Sequence, residues 1–228
     1  ETVKGQLKSY SDVMNSLIQS QIIKETPNDK TTVYTSQDFL EPTKDGKGIT
    51  GKIFHRNFLK YFSIKFHTTY ENIRKLVWGN KGARTLFVYS NLVRVGTDMF
   101  REILLQNGYL EFQEDKNYTI SDDTQCYYCG FNHKFHNDES NKAPKHKFYP
   151  ATFITVTGKS AEESMEVIPE DKKRILDDVF NSLDNKEGKH IKIVLGSKVM
   201  NEGISLSNVA EVHILDVHYN LGRVDQVI

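Results

Sequence analysis

The sequence is poor in several features that mark specialised protein classes. Its 228 residues contain two Cys, five Pro and one Trp, and 30 Lys plus Arg balance 30 Asp plus Glu. Two Cys are too few for a disulfide framework. A formal charge of zero excludes a protein that coats a polyanion through bulk charge. No apolar run approaches the roughly 18 residues that span a membrane, so we expect an intracellular protein without a membrane partner.

The two ends of the chain suggest a longer protein. Residue 1 is Glu1 rather than an initiator Met, and no signal-peptide pattern follows it. The last residues stop within an apolar segment. We therefore expect this chain to be a piece of a larger protein.

The apolar residues follow an alternating pattern of strands and helices. Hydrophobic residues make up 38% of the chain, including 13 Phe and 11 Tyr, which is enough for a substantial core. Apolar runs bounded by turns predict strands at residues 85–90, 109–112, 152–157, 191–195 and 212–215. Helical spacing predicts helices at residues 63–77, at 97–106 and from Pro169 to about 183, with Gly188 closing the last.

This alternation predicts an α/β fold with a doubly wound parallel sheet. We expect residues 1–60 to form an N-terminal arm, with an amphipathic helix within 1–25, and residues 61–228 to form the α/β lobe. Residues 113–150 break the rhythm and predict a small Cys/His-rich insertion. Ligands of doubly wound sheets bind beyond the carboxyl ends of the strands, so we expect functional residues in the loops there.

The insertion carries a candidate metal site. Cys126 and Cys129 have the C-x-x-C spacing of a metal-binding turn, with His133, His136 and His146 nearby. Two Cys and two of these three His would complete a tetrahedral Zn²⁺ site, but the spacing does not select which two. The alternative is a pair of buried Cys beside a solvent-facing His-rich loop that holds no metal.

Several loop segments resemble the motifs of one enzyme family. Residues 196–206 (GSKVMNEGISL) resemble helicase motif V, and residues 223–226 (RVDQ) resemble the opening of motif VI. Residues 86–91 (LFVYSN) resemble motif IV, and Thr157 with Gly158 resembles the next motif along. The chain thus resembles the C-terminal RecA-like lobe of superfamily-2 helicases. It looks most like those of nucleocytoplasmic large DNA viruses, such as the early-transcription-factor and NTPase helicases of poxvirus, asfarvirus and mimivirus type.

The resemblance implies an ATP-dependent motor on nucleic acid. It implies ATP and Mg²⁺ held jointly with an N-terminal RecA-like lobe of the same protein, here by Glu202, Gly203, Ser205 and Gln226. It implies contacts to a nucleic-acid backbone, with DNA favoured over RNA, from Ser90, Asn91, Thr157, Gly158 and Ser197. It also implies a place in viral transcription, in the virion and host cytoplasm, with the transcription machinery as a partner.

The sequence also indicates what the chain lacks as an enzyme. It contains no G-x-x-x-x-G-K-[ST] phosphate loop, and Arg223 stands before Gln226 rather than after it. We therefore expect no catalytic residue and no ATP hydrolysis in this chain alone. The alternative function is a lobe without motor activity that docks within a transcription complex. A Rossmann enzyme is disfavoured because no G-x-G-x-x-G follows a strand.

Overall fold

The computed structural model describes residues 12, 13, 16, 20, 39–44, 46, 48–78, 84–136, 146–158, 168–201 and 204–216. Contacts divide the chain into two compact units, residues 1–68 and residues 69–228. The helix predicted within residues 1–25 lies mostly outside the described residues. The domain boundary after residue 60 stays a prediction.

The first unit is built around a short hairpin. Its elements are β1 (Glu41–Pro42), antiparallel β2 (Ile49–Thr50), a 3-10 turn (Lys52–Phe54), α1 (Leu59–Phe62) and the start of α2 (Ile64–Trp78). Gly51 has a φ of 126°, and a Cβ there would lie 2.4 Å from the Phe39 carbonyl oxygen. That oxygen accepts a hydrogen bond from the Ile53 amide. The turn into the 3-10 segment therefore requires glycine.

The second unit is a five-stranded sheet in which every pairing is parallel. Its strands are β3 (Leu86–Tyr89), β4 (Leu110–Glu111), β5 (Thr152–Val156), β6 (Ile193–Gly196) and β7 (Glu211–Ile214). The spatial order is β4-β5-β6-β3-β7. The chain leaves β3 for the far edge, returns through β5 and β6, and adds β7 on the other side of β3. The predicted α/β fold with a parallel sheet is confirmed.

Burial of the central strands explains their composition. All four residues of β3 and all four of β6 are buried, as expected where both faces of a parallel sheet are covered. A π-helical turn (Val93–Asp98) leads into α3 (Met99–Gln106), whose buried residues include Phe100 and Ile103. The segment between β4 and β5 contains α4 (His133–His136). Helix α5 (Glu170–Ile175) continues as a π-helical segment (Leu176–Phe180).

The end of this last helix differs from the prediction. The helix stops at Phe180, well before Gly188, because the fully buried Asn185 replaces its next hydrogen bonds. The Asn185 side-chain amide donates to the carbonyl oxygens of Phe180 and Ile191, both at 3.0 Å. Its oxygen accepts from the amides of His190 and Ile191 at 2.9 Å. Gly188, with a φ of 75°, belongs to the turn that follows.

Candidate functional site

The carboxyl ends of the central strands lie side by side. In the sheet register, Gly196 of β6 pairs with both Tyr89 of β3 and Val156 of β5. The ladder extends one step further, because the Ser90 amide donates to Gly196 and the Ser197 amide donates to Val156. We call the residues that directly follow β3, β5, β6 and β7 the strand-end edge. They are Ser90, Asn91, Thr157, Gly158, Ser197, Leu215 and Asp216.

Asp216 ties the end of β7 to the end of β3. Its carboxylate accepts a hydrogen bond from the Ser90 hydroxyl at 2.5 Å and from the Asn91 amide at 2.9 and 3.0 Å. The Ser90 hydroxyl is buried and also accepts a bond from the Leu92 amide at 3.1 Å. Gly96 packs closely here, since a Cβ on it would lie 1.8 Å from the Ser90 Oγ. Ser90 is thus engaged inside the protein, and Asn91 is half-buried beside it.

The other predicted residues of the edge differ in exposure. Thr157 and Gly158 are half-buried at the end of β5. Ser197 is fully buried, and its hydroxyl has no hydrogen-bond partner among the described residues. Buried hydroxyls of folded proteins are almost always paired. Ser197 is therefore the residue of the edge whose polar group still needs a partner.

The segment that resembles motif V is held by asparagine side chains. The Asn181 amide group donates to the Ser205 carbonyl at 2.7 Å, and the Asn181 oxygen accepts from the Ser207 amide at 2.9 Å. Asn208 donates from the same segment to the Phe180 carbonyl at 2.7 Å. Ser205 itself is exposed. The remaining predicted nucleotide-side residues, which are Glu202, Gly203 and Gln226, lie outside the described residues.

Four Cys and His side chains converge in the segment between β4 and β5. The donor atoms of Cys126, Cys129, His136 and His146 all lie within 4.8 Å of one another. The Nε2 atom of His146 is 3.3 Å from the Cys126 Sγ and 3.1 Å from the His136 Nε2. A tetrahedral Zn²⁺ with bonds of about 2.0–2.3 Å places its ligand atoms roughly 3.3–3.8 Å apart. The donor set therefore fits a Zn²⁺ ion; the distances of 3.1 and 3.3 Å lie near the short end of that range, and a pair near the 4.8 Å limit would have to close on binding.

His133 is not part of this cluster. Its ring packs against Phe148, with 4.8 Å between the ring centroids at an angle of 71°. His136 also packs against Phe148, at 5.2 Å between the ring centroids, but its Nε2 atom in addition lies 3.1 Å from the Nε2 atom of His146. Of the three His that the spacing left open, the geometry favours His136 and His146 as the partners of the two Cys.

The pKa values of the two thiols are shifted in opposite directions. A hydrogen bond from the Cys129 thiol, helped by His146 and nearby backbone amides, lowers the pKa of Cys126 to about 4. The same pairing, together with burial, raises the pKa of Cys129. The lowered pKa of Cys126 favours its thiolate, which is the form of cysteine that binds metal.

The Cys/His cluster lies at the opposite end of the sheet from the strand-end edge. Cys126 pairs in a β-bridge with Pro150, just before β5, and the Gln125 amide donates to Gly108, just before β4. From Pro150 to Thr157 the chain is extended and rises about 3.3 Å per residue. The backbone positions of Pro150 and Thr157 are thus roughly 23 Å apart. A metal here would act on the amino ends of the strands, away from the motif-like loops.

A buried lysine lies beside the cluster. Lys192 precedes β6, is fully buried, and donates from Nζ to the Glu187 carbonyl at 2.9 Å. Its Nζ lies 5.7 Å from the centre of the Tyr127 ring. Burial lowers the pKa of Lys192 to about 7, with opposing contributions from the charges of Cys126 and Glu187.

Comparison with known proteins gives the chain its relatives. A protein of Acanthamoeba polyphaga mimivirus named "Putative ATP-dependent RNA helicase" is 48% identical over 227 residues, which cover 99% of this chain and 19% of that protein. The chain is a homologue of viral proteins that carry helicase names. The predicted resemblance to the helicases of large DNA viruses is confirmed.

More distant relatives share smaller parts. An early transcription factor large subunit homolog of African swine fever virus is 28% identical over 174 residues, covering 76% of this chain and 14% of that protein. A killer plasmid helicase of Kluyveromyces lactis, named as uncharacterized, is 33% identical over 89 residues, covering 39% of this chain and 13% of its own. The chain thus spans a fifth or less of each relative. No protein family model and no solved structure matches it.

Some site residues escaped the sequence analysis. Asp216, Asn181 and Asn185 make their contacts to residues from 5 to 126 positions away in the chain. Only Asp216 carried a usable signal, because it directly follows a predicted strand.

Among the described residues, no helix is long and apolar enough to cross a membrane.

Proposed function

We propose that this chain is the C-terminal RecA-like lobe of an ATP-driven helicase or translocase of a large DNA virus. The observation that carries this proposal is the strand-end edge. Segments that resemble helicase motifs contain the end of β3 or follow β5 and β6, and these strands are neighbours in one parallel sheet. The homology to viral proteins with helicase names supports the same function.

In this proposal the strand-end edge grips a nucleic-acid backbone. Thr157 and Gly158 offer a hydroxyl and amides to a phosphate. When the edge opens, the Ser197 hydroxyl, which has no partner among the described residues, gains a phosphate oxygen as its acceptor. Ser90 and Asn91 shape the turn beside them through Asp216. Contacts of this kind position a strand without selecting its sequence.

We further propose that the nucleotide side of the lobe lies in residues 202–226. Glu202, Gly203, Ser205 and Gln226 would face ATP and Mg²⁺ held mainly by the N-terminal RecA-like lobe. Because this chain carries no phosphate loop, we propose that it does not hydrolyse ATP alone. Alternating closure of two such lobes would move the protein along one strand.

The name of the African swine fever virus relative supports a role in viral transcription, with the transcription machinery as partner. We propose that the protein acts in the virion and the host cytoplasm. We propose DNA as the bound strand. The mimivirus relative is named for RNA, so the test must compare both.

The deciding experiment measures ATP hydrolysis by the full-length protein with and without single-stranded DNA or RNA. We expect nucleic acid to stimulate hydrolysis. Ser197→Ala should raise the nucleic-acid concentration needed for half-maximal stimulation about five- to tenfold, which is the equivalent of one hydrogen bond. Thr155→Ala is the matched control, because its hydroxyl is also buried without a partner but lies within β5.

Three outcomes of this experiment have distinct meanings. No hydrolysis would refute the motor and leave a lobe that docks within a transcription complex. Stimulation by RNA alone would refute DNA as the strand. Equal effects of Ser197→Ala and Thr155→Ala would remove the strand-end edge as the contact surface.

We also propose that Cys126, Cys129, His136 and His146 hold a structural Zn²⁺. The ion would supply folding free energy to a segment with few buried apolar residues of its own. Because Cys126 forms a β-bridge with Pro150, an ion that holds Cys126 would also steady the start of β5. A catalytic role is disfavoured because four protein ligands leave no open position for a water molecule.

A further inference from the structure

Exposed apolar side chains are concentrated in the Cys/His segment. Among the described residues, nine large hydrophobic side chains are exposed, and four of them (Ile120, Phe131, Phe135 and Tyr149) lie between β4 and β5. Three of these four are aromatic, with exposed fractions of 37–47%. We call Phe131, Phe135 and Tyr149 the aromatic face. Single exposed apolar residues are normal on a protein surface, but several exposed aromatic rings on one short segment are a candidate binding surface.

The backbone of the Cys/His segment fixes this face in place. The Cys126 amide donates to the Phe131 carbonyl at 2.9 Å, and the Tyr127 amide donates to the Tyr149 carbonyl at 2.9 Å. Phe135 lies on α4, one position before the cluster residue His136. The rings are therefore carried by the same short segments that bring the metal-binding side chains together.

Lysine side chains accompany two of the three rings. The Nζ of Lys134 lies 5.6 Å from the centre of the Phe135 ring. The Nζ atoms of Lys147 and Lys189 lie 5.4 and 5.8 Å from the centre of the Tyr149 ring. Lys189 also pairs with Asp184, at 3.2 Å. Lys134 and Lys147 form no ion pair with a carboxylate in the described part of the chain, so their charges remain available to a ligand.

We infer that the aromatic face and its lysines bind single-stranded nucleic acid. Exposed aromatic rings stack on unpaired bases of any sequence, and neighbouring lysines neutralise the phosphates between those bases. The positive charge beside two of the three rings favours a polyanion that also has flat apolar groups.

This surface would be a second nucleic-acid contact, on the Cys/His segment and separate from the strand-end edge. The inference rests on the proposed function only in that the motor has a strand to hold. A site that stacks bases without reading them would keep hold of the strand while the strand-end edge releases it. The expected consequence is a change in affinity, with little change in the ATP hydrolysis rate at saturating nucleic acid.

The test measures dissociation constants by fluorescence anisotropy. It uses the zinc-loaded full-length protein with fluorescein-labelled oligothymidylate and oligouridylate of about 20 nucleotides. We expect Phe135→Ala and Tyr149→Ala each to weaken binding about fivefold or more, because one stacked base is lost. Ile120→Ala is the matched control, an exposed apolar residue of the same segment without a ring, and it should bind like the wild type.

A second pair of variants tests the phosphates. Lys134→Gln and Lys147→Gln should each reduce the slope of log affinity against log salt by about 0.7, the value for one phosphate on a single strand. Zinc content and melting temperature are measured for every variant, so that unfolded variants are replaced by the milder Phe135→Leu and Tyr149→Leu. These keep an apolar side chain and remove the flat ring.

The results separate this inference from the proposed function. Weakened binding with normal saturated ATP hydrolysis supports both. Ring and lysine variants that bind both oligonucleotides like the wild type would overturn the inference, and a protein partner would then be the better explanation of the aromatic face. Absence of stimulated hydrolysis, with ring-dependent binding intact, would refute the motor and leave the inference standing.

Discussion

Removing the Asp216 carboxylate should destabilise the strand-end edge by a predictable amount. Asp216 accepts hydrogen bonds from the Ser90 hydroxyl and the Asn91 amide, groups that are 126 and 125 positions away in the chain. A hydrogen bond to a charged acceptor contributes roughly 1.5–3 kcal/mol of net stability. The two interactions set the upper limit of the loss in Asp216→Ala.

The loss should fall below that limit because Ser90 has another acceptor. Its hydroxyl lies 2.9 Å from the Leu92 carbonyl and can turn its proton there. Among the described residues the Asn91 amide donates to Asp216 alone, so it would lose its acceptor in a half-buried place. We therefore expect Asp216→Ala to lower the free energy of unfolding by about 2–4 kcal/mol. Asp216→Asn should cost about 1 kcal/mol, because its carbonyl still accepts from the amide.

Equilibrium unfolding in urea measures these differences, and a double-mutant cycle with Ser90→Ala isolates the Asp216–Ser90 pair. Gly96→Ala perturbs the same pair from a different position, because the added Cβ would displace the Ser90 hydroxyl. Its cost of about 1–3 kcal/mol should be less than additive with Asp216→Ala. A loss below about 0.5 kcal/mol in Asp216→Ala, typical of an isolated surface residue, would refute the reasoning.

The remaining predictions concern the metal and the buried lysine. His136→Ala and His146→Ala should each lose bound zinc by elemental analysis, whereas His133→Ala should retain one ion per chain, and zinc loss in His133→Ala instead would contradict the ligand set. Chelation of the metal should lower the melting temperature. It should also speed amide hydrogen exchange, most clearly in the Cys/His segment. Burial lowers the pKa of Lys192 from 10.5 to about 7, so between these values the unfolded chain binds a proton that the folded chain does not. Stability should therefore rise with pH across that window, by on the order of a few kcal/mol, and Lys192→Met should abolish the rise in urea unfolding curves, while an unchanged slope would contradict it.

The fold was predictable because local patterns agreed with one another. Apolar runs such as residues 86–89 and 193–196 are buried on both faces, and strands of that kind occur in parallel sheets covered by helices. Pro169 predicted the start of the helix between β5 and β6, and the structure places Pro169 at the N-cap of that helix. The end of that helix was wrong in the prediction, because a buried asparagine ends it and its partners are spread along the next loop.

The candidate sites were predictable only in part. Spacing drew attention to Cys126 and Cys129 and to three His, but it could not rank the His, since only the folded segment brings His136 beside His146. The position of Asp216 after a predicted strand drew attention to it, but its partners could not be predicted, because a carboxylate there has many possible partners. Its actual partners adjoin it only once β7 has paired with β3.

The sequence by itself determined the strand and helix order, the parallel sheet and the family resemblance, because each of these follows from short-range periodicity or from motifs read along the chain. Only the tertiary structure decided that the Cys/His cluster and the strand-end edge lie at opposite ends of the sheet. The physical reason is that a segment leaving β4 at its carboxyl end must return to the amino end of β5, since the two strands are parallel. That return carries Cys126 to Pro150 and away from Ser90, Thr157 and Ser197.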